Sequence, residues 1–301
     1  MTPPNRKNKK IERDPPVRFS IIIPAYNEAD RLPKFISRAL PYLDREFSRE
    51  YEVVVVDDGS NDGTVAQMEA LSKDRANIRI LRHEVNSGKG AAVKTGMLAA
   101  RGELLLFADA DGATPIGEEK RLREAIRVGA DIAIGSRAAS VIKGDSRLAS
   151  RLSPMEKVEW KVQTHRHVMG RVFAMLVKLI LGIKYDDTQC GFKMFTQQAA
   201  IDLFSRASQQ QFIFDCEILY LAEKLGYQVL EIPVNWHEVS GSKVNIFRDS
   251  LQMLLGLWKI NRTHKHLKRM TTSSALSVHP ALEIDDAAEI LLKKKKAAGE
   301  E

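Results

Sequence analysis

The segment Leu104–Thr114, LLLFADADGAT, joins an apolar run to two closely spaced carboxylates, Asp109 and Asp111. A short apolar run is typical of a strand buried on both faces of a parallel sheet. Ligands of such sheets bind beyond the carboxyl ends of the strands, where these acids lie. Adjacent carboxylates repel unless a cation or proton intervenes, and Mg²⁺ commonly bridges carboxylates to substrate phosphates. The segment therefore predicts a metal–diphosphate site, although two acids that cap a turn would give the same pattern.

Apolar runs alternate with helix-periodic segments before this point. Strands are predicted at Phe19–Ile23, from Tyr51, and at Ile78–Leu81, and a helix with an apolar face follows the first of them. In that helix we expect Pro41 to cause a kink or an early end. The alternation predicts an α/β fold with a doubly wound, mostly parallel sheet and flanking helices.

Polar residues follow the other predicted strands as well. Asn27 comes after the first strand, and Asp57 and Asp58 come after the second. In nucleotide-binding folds, an acid at this place accepts hydrogen bonds from a ribose or a base. Asp57 and Asp58 could instead cap the following helix. Together with Asp109 and Asp111, they favour a nucleotide site.

Two other nucleotide motifs are incomplete. Ser87–Gly90, SGKG, resembles a phosphate-binding loop, but Gly90 stands where Ser or Thr is required, and no glycine lies at the required upstream position. No GxGxxG follows the first strand, so a dinucleotide cofactor is not expected.

Composition narrows the class of partner. The chain has 301 residues and a net charge of +7, which suits anionic partners. No nucleic-acid motif accompanies the charge, so nucleic acid is not expected. The two cysteines, Cys190 and Cys216, are far apart and predict no disulfide framework. Neither a signal peptide nor a membrane-spanning stretch is predicted, so we expect a cytoplasmic protein attached peripherally to a membrane.

The motifs PAYNE (24–28), VVDDGSNDGT (55–64), NSGKGAAVKTGM (86–97) and DADGAT (109–114) resemble family 2 glycosyltransferases of GT-A fold. The resemblance covers about residues 18–250 and implies a Rossmann-like nucleotide-binding half. DADGAT, with DTQCGFK (187–193) and FDCE (214–217), is similar to the dolichyl-phosphate β-glucosyltransferase branch. That branch implies inverting transfer of one sugar from a nucleotide diphosphate, most simply UDP-glucose, to a polyprenyl or dolichyl phosphate. The QxxRW motif of processive synthases is absent from the sequence.

The resemblance also implies residue roles on the donor side. Asp111 would ligate Mg²⁺ or Mn²⁺, and Asp109 would contact the metal or the ribose. Asp58 would hold the nucleobase. The other donor-binding residues implied are Ala25, Tyr26, Glu28 and Lys89, the last near the phosphates.

On the acceptor side, the resemblance implies that Asp187 is the catalytic acid group, with Asp215 and Glu217 as second choices. Asp215 could instead cap a helix. Ser242, Lys243 and Arg137 are expected near the acceptor phosphate. Since a phosphate acceptor is already ionised near neutral pH, positioning matters more than deprotonation.

The second half of the chain contains two amphipathic stretches. A helix is predicted from about Met155 to Leu181 with Gly182 as its C-cap, after a mobile loop over 138–156. A second helix is predicted over 246–265. Both could pack in a core or lie in a lipid headgroup layer. The domain prediction is therefore a disordered tail over 1–16, a glycosyltransferase domain over 17–245, this amphipathic helix, and a C-terminal tail over 266–301.

Alternatives remain open from the sequence. A GDP-mannose-dependent polyprenyl-phosphate mannosyltransferase would use the same acids. A soluble family 2 enzyme with a non-lipid acceptor would bury both amphipathic helices. A sugar-nucleotide-binding scaffold would bind the donor without transfer.

Overall fold

The computed structural model describes residues 17–137, 142–152, 160–161, 164–239 and 246–267, with the backbone alone at 160–161, 164–172 and 246–254. The chain divides into two compact units. Unit 1 takes its described residues from Met1–Gly117 and Phe195–Phe212, and unit 2 from Glu118–Met194 and Ile213–Glu301. The predicted tail over 1–16 lies outside the described residues, and so does the predicted C-terminal tail over 266–301 apart from residues 266–267.

The described strands are β1 Phe19–Ala25, β2 Tyr51–Asp57, β3 Ile78–Arg82, β4 Leu104–Ala108, β5 Ile132–Ser136, β6 Trp160–Lys161, β7 Phe192–Thr196, β8 Val229–Pro233 and β9 Trp236–His237. The described helices are α1 Leu32–Phe47, α2 Thr64–Ser72, α3 Lys89–Ala99, α4 Glu119–Arg127, α5 Ser146–Ala149, α6 Thr164–Leu181, α7 Gln197–Arg206, α8 Phe214–Leu225 and α9 Ile246–Thr263, with a 3₁₀ turn at Ile116–Glu118.

Unit 1 is built on a parallel sheet in the strand order β3-β2-β1-β4. Strand β1 pairs in parallel with β2 and β4, and β2 pairs in parallel with β3. Every residue of β1, β2 and β4 is buried, as continuous apolar strands in parallel sheets are. In unit 2 the order is β7-β5-β8, and β5 runs parallel to β8. The predicted α/β class and mostly parallel sheet are confirmed.

Helix α1 excludes one of the two effects expected of Pro41. It continues through Pro41 to Phe47, so the expected early end is wrong, whereas the expected kink stays a prediction. Pro41 lies on the exposed side, whereas Leu40, Leu43 and Phe47 are buried, and the ring of Phe47 stacks on Phe19 with centroids 4.4 Å apart. Burial of this apolar face therefore holds the last turns together, even though Pro41 donates no hydrogen bond.

The predicted start of α6 is also wrong. The helix begins at Thr164 instead of near Met155, because the backbone at Trp160 and Lys161 forms the short strand β6, which pairs with β9. Its predicted end is confirmed, since Gly182 has a φ of +68° and its amide donates to the Lys178 carbonyl at 3.0 Å.

The predicted loop over 138–156 has structure in its described part. Residues 142–152 contain helix α5, and the Asp145 carboxylate accepts the Arg147 amide at 2.8 Å as its N-cap. Lys143 forms an antiparallel bridge with Glu231 of β8. Among the described helices, none has the length and hydropathy that crossing a bilayer requires.

Candidate functional site

The carboxyl ends of the unit 1 strands bring polar residues to one sheet edge. The register aligns Ala25 of β1 with Asp57 of β2, and Asp109 comes directly after β4. Asn27 follows β1 with a φ of +53°, and its side-chain oxygen accepts the Asn61 amide at 2.8 Å. The convergence of these groups at one edge, predicted from the order of strands and acids, is confirmed.

The buried carboxylate of Asp58 organises the loop before α3. Its Oδ1 lies 2.7 Å from Nδ1 of His83 and accepts the Ser87 amide at 2.9 Å, while Oδ2 accepts the Gly88 amide at 2.8 Å. The far ring nitrogen of His83 lies 2.9 Å from Thr95 Oγ1. Both oxygens of Asp58 are thus engaged by the chain itself, which leaves little capacity for the nucleobase contact that the family resemblance implied.

The neighbouring Asp57 has spare hydrogen-bonding capacity. Its side chain is almost fully buried, and Oδ2 accepts the Ser60 amide at 3.2 Å and lies 3.5 Å from Arg82 Nε. Within the part of the chain that the structure describes, Oδ1 is a buried side-chain oxygen without a partner. Such atoms usually find a partner, so Asp57 is the better-placed acceptor for a ligand N–H or O–H. Neither acid caps α2, whose N-cap is Gly63, so that alternative is wrong.

The first loop contributes backbone and one ion pair. Ala25 is buried, and its carbonyl accepts the Asp58 amide at 2.8 Å. Tyr26 is partly exposed at the edge. The carboxylate of Glu28 accepts two hydrogen bonds from the Arg31 guanidinium, at 2.5 and 2.6 Å. These contacts place an arginine, which the sequence did not single out, beside the predicted donor-binding loop.

The two acids of the DADGAT motif are close enough to affect one another. Burial and the charge of Asp109 raise the pKa of Asp111, despite the amide of Ala113 at 3.0 Å and the charges of Arg31 and Lys89. Asp109 pairs with Lys89 through Oδ1 and Nζ, 2.7 Å apart. A divalent cation would relieve this repulsion.

Asp109 and Asp111 could hold a metal only if the substrate or water supplied further ligands. Over the described ranges, no group of three His, Cys, Asp or Glu side chains could hold a metal by itself. Mg²⁺ commonly takes one or two carboxylates and completes its shell with substrate phosphates and water, which matches Asp109 and Asp111.

Unit 2 contains a second polar cluster around Arg137. The guanidinium donates to both oxygens of Asp187, through Nε to Oδ2 at 2.7 Å and Nη2 to Oδ1 at 2.8 Å, and the Arg137 amide donates to Oδ2 at 2.9 Å. The guanidinium carbon lies 5.6 Å from the ring centroid of Trp236. Bidentate pairing and ring stacking both fix a guanidinium in place.

Buried Glu231 of β8 holds the backbone of this cluster through hydrogen bonds. Its carboxylate accepts the amides of Asp186 and Asp187 and the Ser136 hydroxyl, between 2.8 and 3.1 Å. Burial raises the pKa of Glu231 in spite of these donors. Ser136 and Asp186 directly precede Arg137 and Asp187 in the sequence, so these contacts of Glu231 help to hold the backbone that carries both residues.

The second-choice catalytic acids are engaged elsewhere in unit 2. Asp215, on the first turn of α8, pairs with buried Lys193 at 2.5 Å, and that ammonium also donates to the Cys190 carbonyl at 2.7 Å. The fully buried Glu217 lies 2.7 Å from Nε2 of His264, beyond the end of α9. Asp215 is not the N-cap, which is Ile213. These contacts favour roles in packing over proton transfer. Ser242 and Lys243 lie outside the described residues.

Sequence reasoning missed four residues of the two clusters. They are His83, Arg31, Trp236 and Glu231. His83 follows the carboxyl end of β3, the same position that drew attention to Asp57 and Asp109. The others carry no comparable local signal, since their partners are set by the folded chain.

These features define the class of protein. A parallel α/β sheet with acids and a lysine at its carboxyl edge is an arrangement in which nucleotides are commonly bound. Residues 20–204 match the family described as Glycosyl transferase family 2. The chain belongs to this family.

The chain is similar to relatives named dolichyl-phosphate beta-glucosyltransferase. The Drosophila melanogaster relative is 38% identical, covering 86% of this chain and 82% of its own. The Dictyostelium discoideum relative is 36% identical, covering 81% and 77%. The Homo sapiens relative is 34% identical, covering 83% and 80%. The resemblance noted in the motifs is confirmed.

Solved structures share the fold. Glucosyl-3-phosphoglycerate synthase from Mycobacterium tuberculosis, in complex with Mn²⁺ and UDP-glucose, has a TM-score of 0.55 and 15% identity, covering 80% of this chain and 79% of its own. A mycobacterial protein has a TM-score of 0.57 and 18% identity, covering 81% and 74%.

Proposed function

We propose that this protein transfers glucose from UDP-glucose to a polyprenyl phosphate, such as dolichyl phosphate, with inversion at the anomeric carbon. The observation that supports it most is the likeness to relatives of that name over most of both chains. In this proposal the polar cluster of unit 1 supplies residues for the donor, and the Arg137 cluster of unit 2 supplies residues for the acceptor.

The carboxyl edge of unit 1 binds the donor in this proposal. The free oxygen of Asp57 accepts a hydrogen bond from the base or ribose. Asp109 and Asp111 hold Mg²⁺ or Mn²⁺ with the diphosphate, as a solved neighbour is crystallised with Mn²⁺ and UDP-glucose. When bound, the metal stabilises the charge that develops on the departing nucleoside diphosphate.

The Arg137 cluster of unit 2 binds the acceptor phosphate. A guanidinium already fixed by Asp187 and close to Trp236 presents a positive charge at a set position, and that charge can attract a phosphate without reorganising. A phosphate is ionised near neutral pH, so the attack on the anomeric carbon needs orientation and no strong base. Asp187 is then a positioning residue. Ser242 and Lys243 stay candidates for the same phosphate.

A membrane surface is the proposed location of the acceptor. Met175 and Leu179 on α6 are 62% and 77% exposed, and Leu255 and Trp258 on α9 are 62% and 59% exposed. Each pair shares a helix face, and the two helices contact one another through the Asn261 amide and the Ile180 carbonyl. With exposed Lys259 and Arg262 nearby, this face suits a headgroup layer.

A two-way assay tests the proposal. Purified protein is incubated with UDP-glucose, UDP-N-acetylglucosamine or GDP-mannose, each with dolichyl phosphate, a short prenyl phosphate or 3-phosphoglycerate, and products are identified by mass. We expect a hexosyl phospholipid from UDP-glucose. Product from GDP-mannose alone would reassign the donor, and product on 3-phosphoglycerate alone would reassign the acceptor. Nucleotide binding without any product would favour a sugar-nucleotide-binding scaffold instead of an enzyme.

A further inference from the structure

Lys89 is fixed against the first acid of the DADGAT motif. It is the first residue of α3, and its ammonium lies 2.7 Å from Asp109 Oδ1. The same nitrogen lies 5.2 Å from the ring centroid of Phe107 and 5.9 Å from that of Phe212. The acid and the two aromatic faces hold the ammonium at this point, although the positive end of the α3 dipole disfavours a cation there.

A second cation shares the field of these acids. The hydrogen bond to Glu28 raises the pKa of Arg31 most, and the charges of Asp111 and Asp109 raise it further. Protein cations therefore already offset part of the negative charge that would attract a metal. A divalent ion that bound Asp109 through Oδ1 would have to displace the Lys89 ammonium from that oxygen.

We propose that Lys89 is a built-in counter-ion that competes with the divalent metal for Asp109 and yields only when the donor diphosphate is present. The inference rests on the donor site of the proposed function. The phosphate oxygens give the displaced ammonium a new partner, since lysine binds phosphate as a point charge. Metal and nucleotide then bind together, and neither Asp109 nor Asp111 is left with uncompensated charge.

The test measures Mn²⁺ binding to the full chain by electron paramagnetic resonance, with no nucleotide and again with UDP. Lys89→Met is compared with wild type and with Lys94→Met, a lysine on the same helix whose ammonium contacts the Ala207 carbonyl at 2.7 Å. We expect Lys89→Met to bind Mn²⁺ roughly fivefold more tightly without nucleotide, and to gain less from UDP than wild type gains. Lys94→Met should match wild type.

Unchanged or weaker Mn²⁺ binding by Lys89→Met without nucleotide would overturn the inference, because Lys89 would then be neutral toward the metal or assist it. Lys89→Gln serves as a second variant should the methionine variant not fold. The measurement needs neither sugar nor acceptor. A Mn²⁺ shift without glucosyl transfer would overturn the proposed function alone, and transfer without the shift would overturn this inference alone.

Discussion

The guanidinium of Arg137 and the carboxylate of Asp187, fifty residues apart in sequence, are joined by two side-chain hydrogen bonds of 2.7 and 2.8 Å. A third bond, from the Arg137 amide, closes the contact. Both oxygens of Asp187 therefore accept hydrogen bonds from Arg137. A carboxylate engaged in this way is unsuited to act as a general base, and it is well suited to orient the guanidinium.

Conservative changes in this pair should lower kcat/KM for the acceptor and leave the affinity for the donor unchanged. Arg137→Lys removes the bidentate geometry, and Asp187→Asn removes the charge. We expect Arg137→Lys and Asp187→Asn each to lower kcat/KM for the polyprenyl phosphate about 10- to 100-fold, the range of a hydrogen bond to a charged group. Initial rates give kcat/KM, and calorimetry should show unchanged donor affinity.

Arg127→Lys is the matched control, since Arg127 pairs with Glu124 in an exposed helix contact. If donor affinity in the Arg137 and Asp187 variants fell as much as kcat/KM for the polyprenyl phosphate, that result would argue against an acceptor role for the cluster.

The same pair predicts a dependence of stability on pH. Burial by itself would raise the pKa of Asp187, but the charge and hydrogen bonds of Arg137 outweigh it and hold that pKa below its usual range. The free energy of unfolding that Asp187 adds is therefore fully present above its unfolded pKa of about 4, and is lost as pH falls through the lower folded value.

Urea unfolding from pH 7 to pH 3 measures this contribution. Wild type should lose stability more steeply than Asp187→Asn at the acid end of the series. If the free energies of unfolding of the two proteins fell in parallel with pH, the Asp187 carboxylate would receive no stabilisation from Arg137.

The buried Lys193–Asp215 pair should behave as a structural ion pair. Both side chains are almost fully buried and lie 2.5 Å apart. Removing one partner strands a charge, so Lys193→Met should lower the free energy of unfolding by about 3–5 kcal/mol. The double variant Lys193→Met/Asp215→Leu should recover much of that loss, because no charge is left unpaired. Chemical denaturation of the single and double variants completes the cycle.

A catalytic role for Asp215 would give a different result from a structural ion pair. In that case Asp215→Asn would abolish transfer while its unfolding curve stayed near wild type. We expect stability and activity to fall together.

The exposed apolar face of α6 and α9 should determine vesicle binding. Trp258→Gln removes an exposed indole that would be buried in the headgroup layer, and we expect the partition coefficient to fall roughly tenfold. Co-sedimentation with vesicles that contain anionic lipid measures it. Val85→Gln is the control, since Val85 is 70% exposed in unit 1. Equal binding by all three proteins would mean that Trp258 does not contact the membrane, and no binding by any of them would favour an acceptor that is not in a membrane.

The sequence predicted what depends on local pattern. Apolar runs located β1, β2 and β4, and acids after them located the edge of the sheet. The early end expected at Pro41 was wrong because the effect of a proline depends on which side of α1 is buried, and that is a tertiary property. The start of α6 was misplaced because β6 is formed by pairing with β9, about 75 residues away along the chain.

Side-chain partners were the part that could not be predicted. Asp57 and Asp58 are adjacent and chemically identical, and only the fold shows that Asp58 is engaged by His83 and the α3 loop while Asp57 keeps a free oxygen. The pairing of Arg137 with Asp187 likewise follows from the arrangement of β5 and the segment before β7.

The proposed donor site depends on a metal that Asp109 and Asp111 hold together with the donor diphosphate, and calorimetric titration of UDP-glucose tests this metal site. Wild type and Asp111→Ala are titrated with Mn²⁺ and again with chelator, and Asp74→Ala, a change at an exposed acid, is the control. We expect saturable binding by wild type and the control with Mn²⁺, and a loss of about 10-fold or more in affinity with chelator or in Asp111→Ala, since each removes an interaction with a charged group. Equal affinity under all these conditions would contradict a metal site at these acids.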